Sequence, residues 1–257
     1  MLNRSSFGVD EVDKMLGGGF ITGSSNIVEG APGTGKTTFG LQFIVNGIEK
    51  NNEPGLIITF EEFPAQYYTD ASNFGWDLKK YEAEGLLKII FTSPELAIKE
   101  IEEIGGQLET IIDEMGAKRC LIDSLTHFEY AVQDENELRE MEFDFISSLK
   151  REELTSILLS ENNNLLGQTD SISQAPFIVD SYLIFRYVEI NSAISKAMLI
   201  LKMRGSLHTK DIRQFEITKD GCEISEKFIG QEGILSGMPQ KTAIDAFIDV
   251  FVKKNKR

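Results

Sequence analysis

The stretch IVEGAPGTGKTTFGLQ, residues 27–42, decides the fold. An apolar run enters it, glycines and a proline fill its middle, and Lys36-Thr37-Thr38 open a segment with helical spacing. Residues 30–37 fit G-x-x-x-x-G-K-T, the pattern of a phosphate-binding loop. Gly30, Gly33 and Gly35 let the backbone around Ala31, Pro32 and Thr34 curl so that its N–H groups face a β-phosphate. The N-terminus of the following helix, with Thr38 in its first turn, adds its dipole. Lys36 carries charge toward the β- and γ-phosphates, and Thr37 offers a hydroxyl to Mg²⁺. A glycine turn without a ligand needs neither a strand before it nor a helix after it, and the pattern predicts both here.

Outward from the loop, strand and helix patterns alternate. Residues 24–29, 56–60, 86–91, 120–122 and 157–160 read as short buried strands. Residues 37–50, 98–115 and 135–153 carry helical spacing between them. Such alternation predicts an α/β fold with a mostly parallel central sheet and helices on both faces. Beyond residue 180, SYLIFRYVEI, KAMLILKMRG and RQFEITKDGCEI read as strands joined by tight turns, an antiparallel C-terminal extension of that sheet. Gly237-Met238-Pro239 punctuates the end, so the expected division is an ATPase-type domain over 1–237 and a tail over 238–257. In the tail, Ile244, Phe247, Ile248 and Phe251 make one apolar helical stripe ahead of Lys253, Lys254, Lys256 and Arg257.

Composition narrows the function. The chain has 257 residues, is 41% hydrophobic, and carries 26 Lys plus Arg against 41 Asp plus Glu, a net charge of −15. That charge repels nucleic acid and anionic membranes unless the cations cluster. No apolar run approaches the ~20 residues of a membrane span. Met1-Leu2-Asn3-Arg4-Ser5 lacks a signal peptide's apolar region, and Cys120 and Cys222 read as buried thiols, so the expected compartment is the cytoplasm.

A phosphate loop needs partners. RCLIDSL ends an apolar strand in Asp123, placed to hold Mg²⁺ through its water shell. LIITFEE ends another in Glu61-Glu62, a carboxylate pair able to activate water, the second glutamate tuning the first. Lys202 and Arg204 alternate along a strand and share one face. Ser160-Glu161-Asn162 ends a strand beside the loop and is a candidate γ-phosphate sensor. His127 and Trp76 read as structural.

With these residues in view, the chain resembles the KaiC family of the RecA-like ATPases. The resemblance is carried by GVDEVDKMLGGGF (8–20), GAPGTGKTT (30–38), ITFEE (58–62), LIDSL (121–125), YVEI (187–190), LKMRGSLH (201–208) and FEITKDG (215–221). It implies an ATPase that binds ATP and Mg²⁺, hydrolyses ATP slowly and assembles as a ring, usually hexameric, with nucleotide at subunit interfaces. It further implies that Glu61 and Glu62 are the catalytic pair. Lys202 and Arg204 would reach the neighbour's γ-phosphate, and Ser206 and His208 would add interface contacts to nucleotide. KaiC has two such domains in tandem, and this chain carries one. Where the clock protein has its phosphorylated Ser-Thr pair, this chain reads Ala175-Pro176-Phe177-Ile178-Val179-Asp180, with Ser171 and Ser173 earlier. Clock-type autokinase activity is therefore not expected.

The expected partner is an unidentified protein in regulation or signalling. A DNA recombination accessory and an ATP-binding scaffold with little turnover are the alternatives. Residues 121–138 and 152–185 contain no Lys or Arg, which argues against nucleic acid in the loops that would face a ring's central hole.

Overall fold

A computed structural model of the chain describes residues 3–103, 105–132, 134–162, 173–190, 192–228, 231–232 and 240–241. The expected stripe over 244–251 lies outside them.

The chain opens with β1 (Arg4–Ser5), α1 (Asp10–Met15) and β2 (Phe20–Ile21), and β1 pairs antiparallel with β2. β3 (Ser25–Gly30) leads through the glycine loop into α2 (Lys36–Asn46). β4 (Gly55–Thr59), α3 (Pro64–Ser72), α4 (Leu78–Ala83), β5 (Leu87–Phe91), α5 (Pro94–Glu102), α6 (Gln107–Met115) and β6 (Arg119–Asp123) follow. Next come α7 (His127–Ala131), α8 (Glu135–Arg151), β7 (Thr155–Glu161), α9 (Ala175–Ile178) and β8 (Ser181–Ile190). β9 (Ala193–Met203), β10 (Arg213–Thr218) and β11 (Gly221–Lys227) end the main sheet, and β12 (Gln231–Glu232) pairs with β13 (Gln240–Lys241). The 9-stranded sheet has the order β11-β10-β9-β8-β3-β7-β6-β4-β5. From β8 to β5 every pairing is parallel, and from β8 to β11 every pairing is antiparallel.

The parallel strands are apolar at successive positions because both faces are covered. Side chains alternate across a strand, so neighbours enter different cores. Val28, Ile57, Leu121, Ile157 and Leu159 join the core under α2, with Phe7, Phe39 and Phe43. Ile27, Leu56, Ile58, Cys120, Ile122 and Leu158 join the other, with Phe128, Phe145 and Leu149. Cys120 and Cys222 are buried free thiols, as expected, and burial pushes the Cys222 thiol up to about 12.

Some expectations need correction. The helix expected over 98–115 is broken into α5 and α6. Glu103 is extended, Gly105 has φ of 77°, and a Cβ on Gly106 would lie 2.0 Å from the Glu100 carbonyl oxygen. α3 and α4 were not expected; Pro64 stands at the start of α3, and Asp77 caps α4 by accepting from the Lys80 N–H at 3.1 Å. The helix expected over 37–50 is α-helical only to Asn46 and widens to a π turn over Gly47–Asn51.

The π turn accommodates Arg119, which is fully buried. Its Nε meets Glu53 at 2.6 Å, and its other nitrogens donate to the carbonyls of Phe43 at 2.7 Å and Ser6 at 2.8 Å. A Cβ on Gly47 would lie 2.3 Å from Arg119 Nε. Gly47→Ala should therefore destabilise the protein, although Ala exceeds Gly in helix propensity by up to ~1 kcal/mol. Arg119→Met should cost about 3 kcal/mol or more, because Glu53 and both carbonyls lose their donor. Chemical denaturation of both variants checks this, and a stabilised Gly47→Ala would refute the packing argument.

A candidate nucleotide site at the carboxyl edge of the sheet

The parallel register sets the site's floor. Gly30 stands opposite Glu161 across β3 and β7, and Thr59 stands opposite Asp123 across β4 and β6. The loop, both acidic strand ends and the Glu61-Glu62 turn therefore open on one edge. This is the crevice beyond the carboxyl ends of parallel strands where α/β sheets take ligands.

The loop is built for close approach. Gly33 and Gly35 have φ of 76° and 104°, a region that favours glycine. A Cβ on Gly30 would lie 2.7 Å from the Phe185 carbonyl oxygen, one on Gly33 2.8 Å from the Tyr187 hydroxyl, and one on Gly35 2.9 Å from Ile217 Cδ1. Thr34 Oγ1 donates to the Ala31 carbonyl at 2.8 Å and closes the curl. Lys36 is buried and folds over the loop, its Nζ donating to the carbonyls of Gly30 at 3.0 Å and Ala31 at 3.3 Å. Burial pulls its ammonium below the usual range, opposed by Glu161, Asp123 and Glu29.

Asp123 joins the loop to the rest of the site. Its Oδ2 accepts from Thr37 Oγ1 at 3.0 Å and from the Tyr67 hydroxyl at 2.9 Å. Burial pushes its carboxyl up, and Tyr67, Thr37 and Lys36 oppose that. Burial beside Asp123 also raises the Tyr67 phenol far above its ordinary range, so it stays a neutral donor. A hydroxyl and a carboxylate this close form the oxygen donor set a small hard cation takes, so the residues fit Mg²⁺.

Glu61 and Glu62 are exposed on the turn after β4. Thr59 Oγ1 shapes that turn, accepting from the Glu62 N–H at 3.2 Å and donating to its carbonyl at 3.0 Å. Partial burial, then the charges of Asp123, Asp70 and Glu61, raise the Glu62 carboxyl. His127, expected as structural, lies 3.7 Å from Glu61 Oε2 through Nε2 and 3.3 Å from Ser124 Oγ through Nδ1. Trp76 is half-buried and stacks on Phe74, the packing role expected of it.

A cavity of about 360 Å³ lies against the loop, Thr38, Asp123 and Glu161, and is lined on its other side by Lys196 and Ile217. Beneath it Glu29 accepts from Asn162 and from Tyr182, each at 2.7 Å. Of the strand end 160–162, then, Glu161 enters the cavity and Asn162 turns inward. Sequence reasoning missed Tyr67, Lys196, Tyr187 and Ile217. The pattern 196, 198, 200, 202 would put Lys196 and Lys202 on one face of β9. A bulge at Leu201 breaks the register, Tyr182 pairing with Lys202 and Leu183 with Ile200. It turns Lys202 to the α9 side while Lys196 stays on the loop side.

Lys202 and Arg204 are held by main-chain carbonyls of their own subunit. Lys202 Nζ donates to the carbonyls of Pro176 at 2.9 Å and Val179 at 2.7 Å. Arg204 donates to those of Phe177 and, at 3.3 Å, Ile178. These are the carbonyls a helix leaves unpaired at its end. Both cations lie far from their own loop: Lys202 pairs with Tyr182, which is level with Ile27, about 10 Å of strand before Gly30. Ser206 accepts from Arg4 and donates to the Leu207 carbonyl at 3.0 Å. His208 is half-buried, and neither of its ring nitrogens has a hydrogen-bond partner among the described residues.

The start of α9 is anchored by Glu142 of α8, fully buried, which accepts from the Ser173 hydroxyl at 2.5 Å and the Gln174 N–H at 3.1 Å. Burial pushes its carboxyl up to about 7, with Glu129 adding to the rise.

The glycine loop between β3 and α2, under a mostly parallel sheet, defines the RecA-like class of P-loop ATPase folds. Within it the chain belongs to the KaiC family of ATP-binding ATPases: the family model described as "ATPase: KaiC" matches residues 5–228. The chain is 38% identical over 242 residues to the circadian clock protein KaiC3 of Synechocystis sp., covering 93% of this chain and 47% of that protein. It is 36% identical over 244 residues to the circadian clock oscillator protein KaiC of Acaryochloris marina, covering 94% and 46%. It thus spans about half the length of the curated relatives it matches. The crystal structure of a KaiC-like protein from Pyrococcus horikoshii OT3 superposes with a TM-score of 0.79 at 29% identity, covering 88% of this chain and 100% of that one.

Glu142 makes a pH prediction. A carboxyl raised in the folded state binds its proton more tightly there than in the unfolded chain. Its stabilising contribution is full below the unfolded value of 4.5 and is lost as pH rises through about 7. The loss should reach about 3 kcal/mol, since each pKa unit is worth ~1.4 kcal/mol. Denaturation from pH 4.5 to 8 should show a shallower decline for Glu142→Gln than for the wild type; parallel curves would exclude Glu142 as the source.

Proposed function

We propose that this chain binds ATP with Mg²⁺ and hydrolyses it slowly, as a ring of copies in the cytoplasm that acts on a partner protein in regulation or signalling. On this reading residues 1–237 are the ATPase unit and 238–257 a separate tail. The observation that carries the reading is the contact between Thr37 and Asp123 at 3.0 Å beneath the glycine loop, with Glu61-Glu62 on the same edge. The loop N–H groups and Lys36 would hold the phosphates. Thr37 and Asp123 would hold Mg²⁺, which neutralises phosphate charge when bound. Glu61 or Glu62 would take the proton of the attacking water, and partial burial with the charge of Asp123 raises the Glu62 carboxyl, which favours its holding that proton. Lys202 and Arg204, remote from their own loop, would neutralise charge at the neighbour's γ-phosphate, and His208 with Ser206 would meet its nucleotide. Autophosphorylation would be absent, because Pro176 and Phe177 stand where the hydroxyls would be; intact-mass spectrometry after incubation with ATP tests this.

A nucleic-acid reading is disfavoured by the charge pattern. Phosphate contacts supply most non-specific affinity, and residues 121–138 offer no Lys or Arg. Fluorescence anisotropy at low salt with ATP and Mg²⁺ should detect no micromolar binding to single- or double-stranded oligonucleotides.

Lys36→Ala should abolish nucleotide binding. Glu61→Gln with Glu62→Gln should keep binding and lower turnover by about 10² or more, the usual contribution of a general base. Phosphate release at the wild-type rate in the double variant would remove the pair from the mechanism. Mixing Arg204→Ala subunits with the double Gln variant should restore part of the activity, since some interfaces then join an intact base to an intact cation; a mixture no more active than its components would count against a shared site.

A further inference from the structure

Phe143 of α8 and Phe177 of α9 are 54% and 71% exposed, and both line a groove of about 570 Å³ bordered by Arg139 and Arg204. At the other end of the sheet, Phe63 and Phe91 pack with ring centroids 4.5 Å apart, 66% and 44% exposed. Aromatic rings exposed in pairs mark a contact surface, because burying them contributes far more than scattered apolar residues do. We infer that the two patches dock on each other between neighbouring copies, Phe143 and Phe177 of one packing on Phe63 and Phe91 of the next. The inference rests on the ring assembly proposed above and names its apolar contact.

Position supports this pairing. α9 leads into β8, whose Ser181 lies opposite Asn26 at the start of β3. Phe91 ends β5, and Phe63 follows the turn after β4, at the carboxyl edge. Patches at opposite ends of a sheet suit a head-to-tail contact and not a two-fold one.

Charge agrees. The groove carries Arg139 and Arg204 beside Glu140 and Asp144, whereas Phe63 directly follows Glu61-Glu62. A chain of net charge −15 repels its copies, so contact needs apolar area and a local cation facing an acidic patch.

The groove is also continuous with the cations assigned to the neighbour's phosphate. Arg204 lines it and donates to the Phe177 carbonyl. Packing Phe177 on Phe63 brings Arg204 toward the neighbour's Glu61-Glu62 edge. Phe177 is presented rigidly, since Glu142 holds the start of α9 and Lys202 and Arg204 hold its end.

Cysteine cross-linking tests the docking, since native Cys120 and Cys222 are buried. With ATP, Mg²⁺ and a short bismaleimide, the Phe63→Cys/Phe177→Cys double variant should give a ladder of covalent oligomers, and each single variant should stay monomeric on denaturing gels. Cross-linked dimers from Phe177→Cys alone would reveal a two-fold contact and overturn the inference. No ladder, with nucleotide-dependent assembly still seen by light scattering, would overturn the docking and leave the ring standing. A protein that stays monomeric by light scattering with saturating ATP and Mg²⁺ would remove the ring and the docking together. Phe143→Asp with Phe177→Asp should raise the assembly midpoint concentration at least tenfold at unchanged Tm. An unchanged midpoint would assign the groove to a different protein and overturn the inference.

Discussion

The carboxylate of Asp123 is the constraint around which the site is built. It ends a strand buried between two cores and must find donors, because a carboxylate taken out of water without them is costly. Thr37 supplies one from the first turn after the glycine loop, and Tyr67 supplies another from α3. Those contacts bring α2 and α3 to the same point, and the turn bearing Glu61 and Glu62 runs between β4 and α3. Any displacement of β6 along the sheet would therefore move the loop, the acidic turn and the donor set together.

The second constraint is the change of direction at β8. It pairs parallel with β3 and antiparallel with β9, so the chain returns along the sheet and delivers Lys202 and Arg204 to the end opposite the glycine loop. The bulge at Leu201 then turns Lys202 to the α9 side, where the carbonyls of Pro176 and Val179 receive it. Lys196, before the bulge, remains over the loop. One strand thus serves two distant places with the same residue type.

What was legible in the sequence was local. The glycine loop, Asp123 and the glutamate turn each declare themselves by a few adjacent residues, and the apolar runs marked the buried strands. The helix expected over 98–115 failed because apolar spacing resumes beyond Gly105-Gly106, and periodicity outweighed a glycine pair that should have counted as a break. Tyr67, Lys196, Tyr187 and Ile217 reach the site only through tertiary packing. No spacing in the sequence announces that β9 and β10 lie over the loop, or that a bulge separates two lysines six positions apart. The carbonyls that receive Lys202 and Arg204 were not legible either, because main-chain acceptors leave no mark in a sequence.

The separation of those cations from their own glycine loop has a consequence for how such a protein behaves in a cell. A site completed by residues from another copy works only where copies meet, so under the proposed assembly the rate per molecule would depend on abundance. Dilution would silence the chain without any inhibitor, and a modest rise in expression would activate it steeply. The antiparallel turn-back at β8 would then make the protein a gauge of its own concentration.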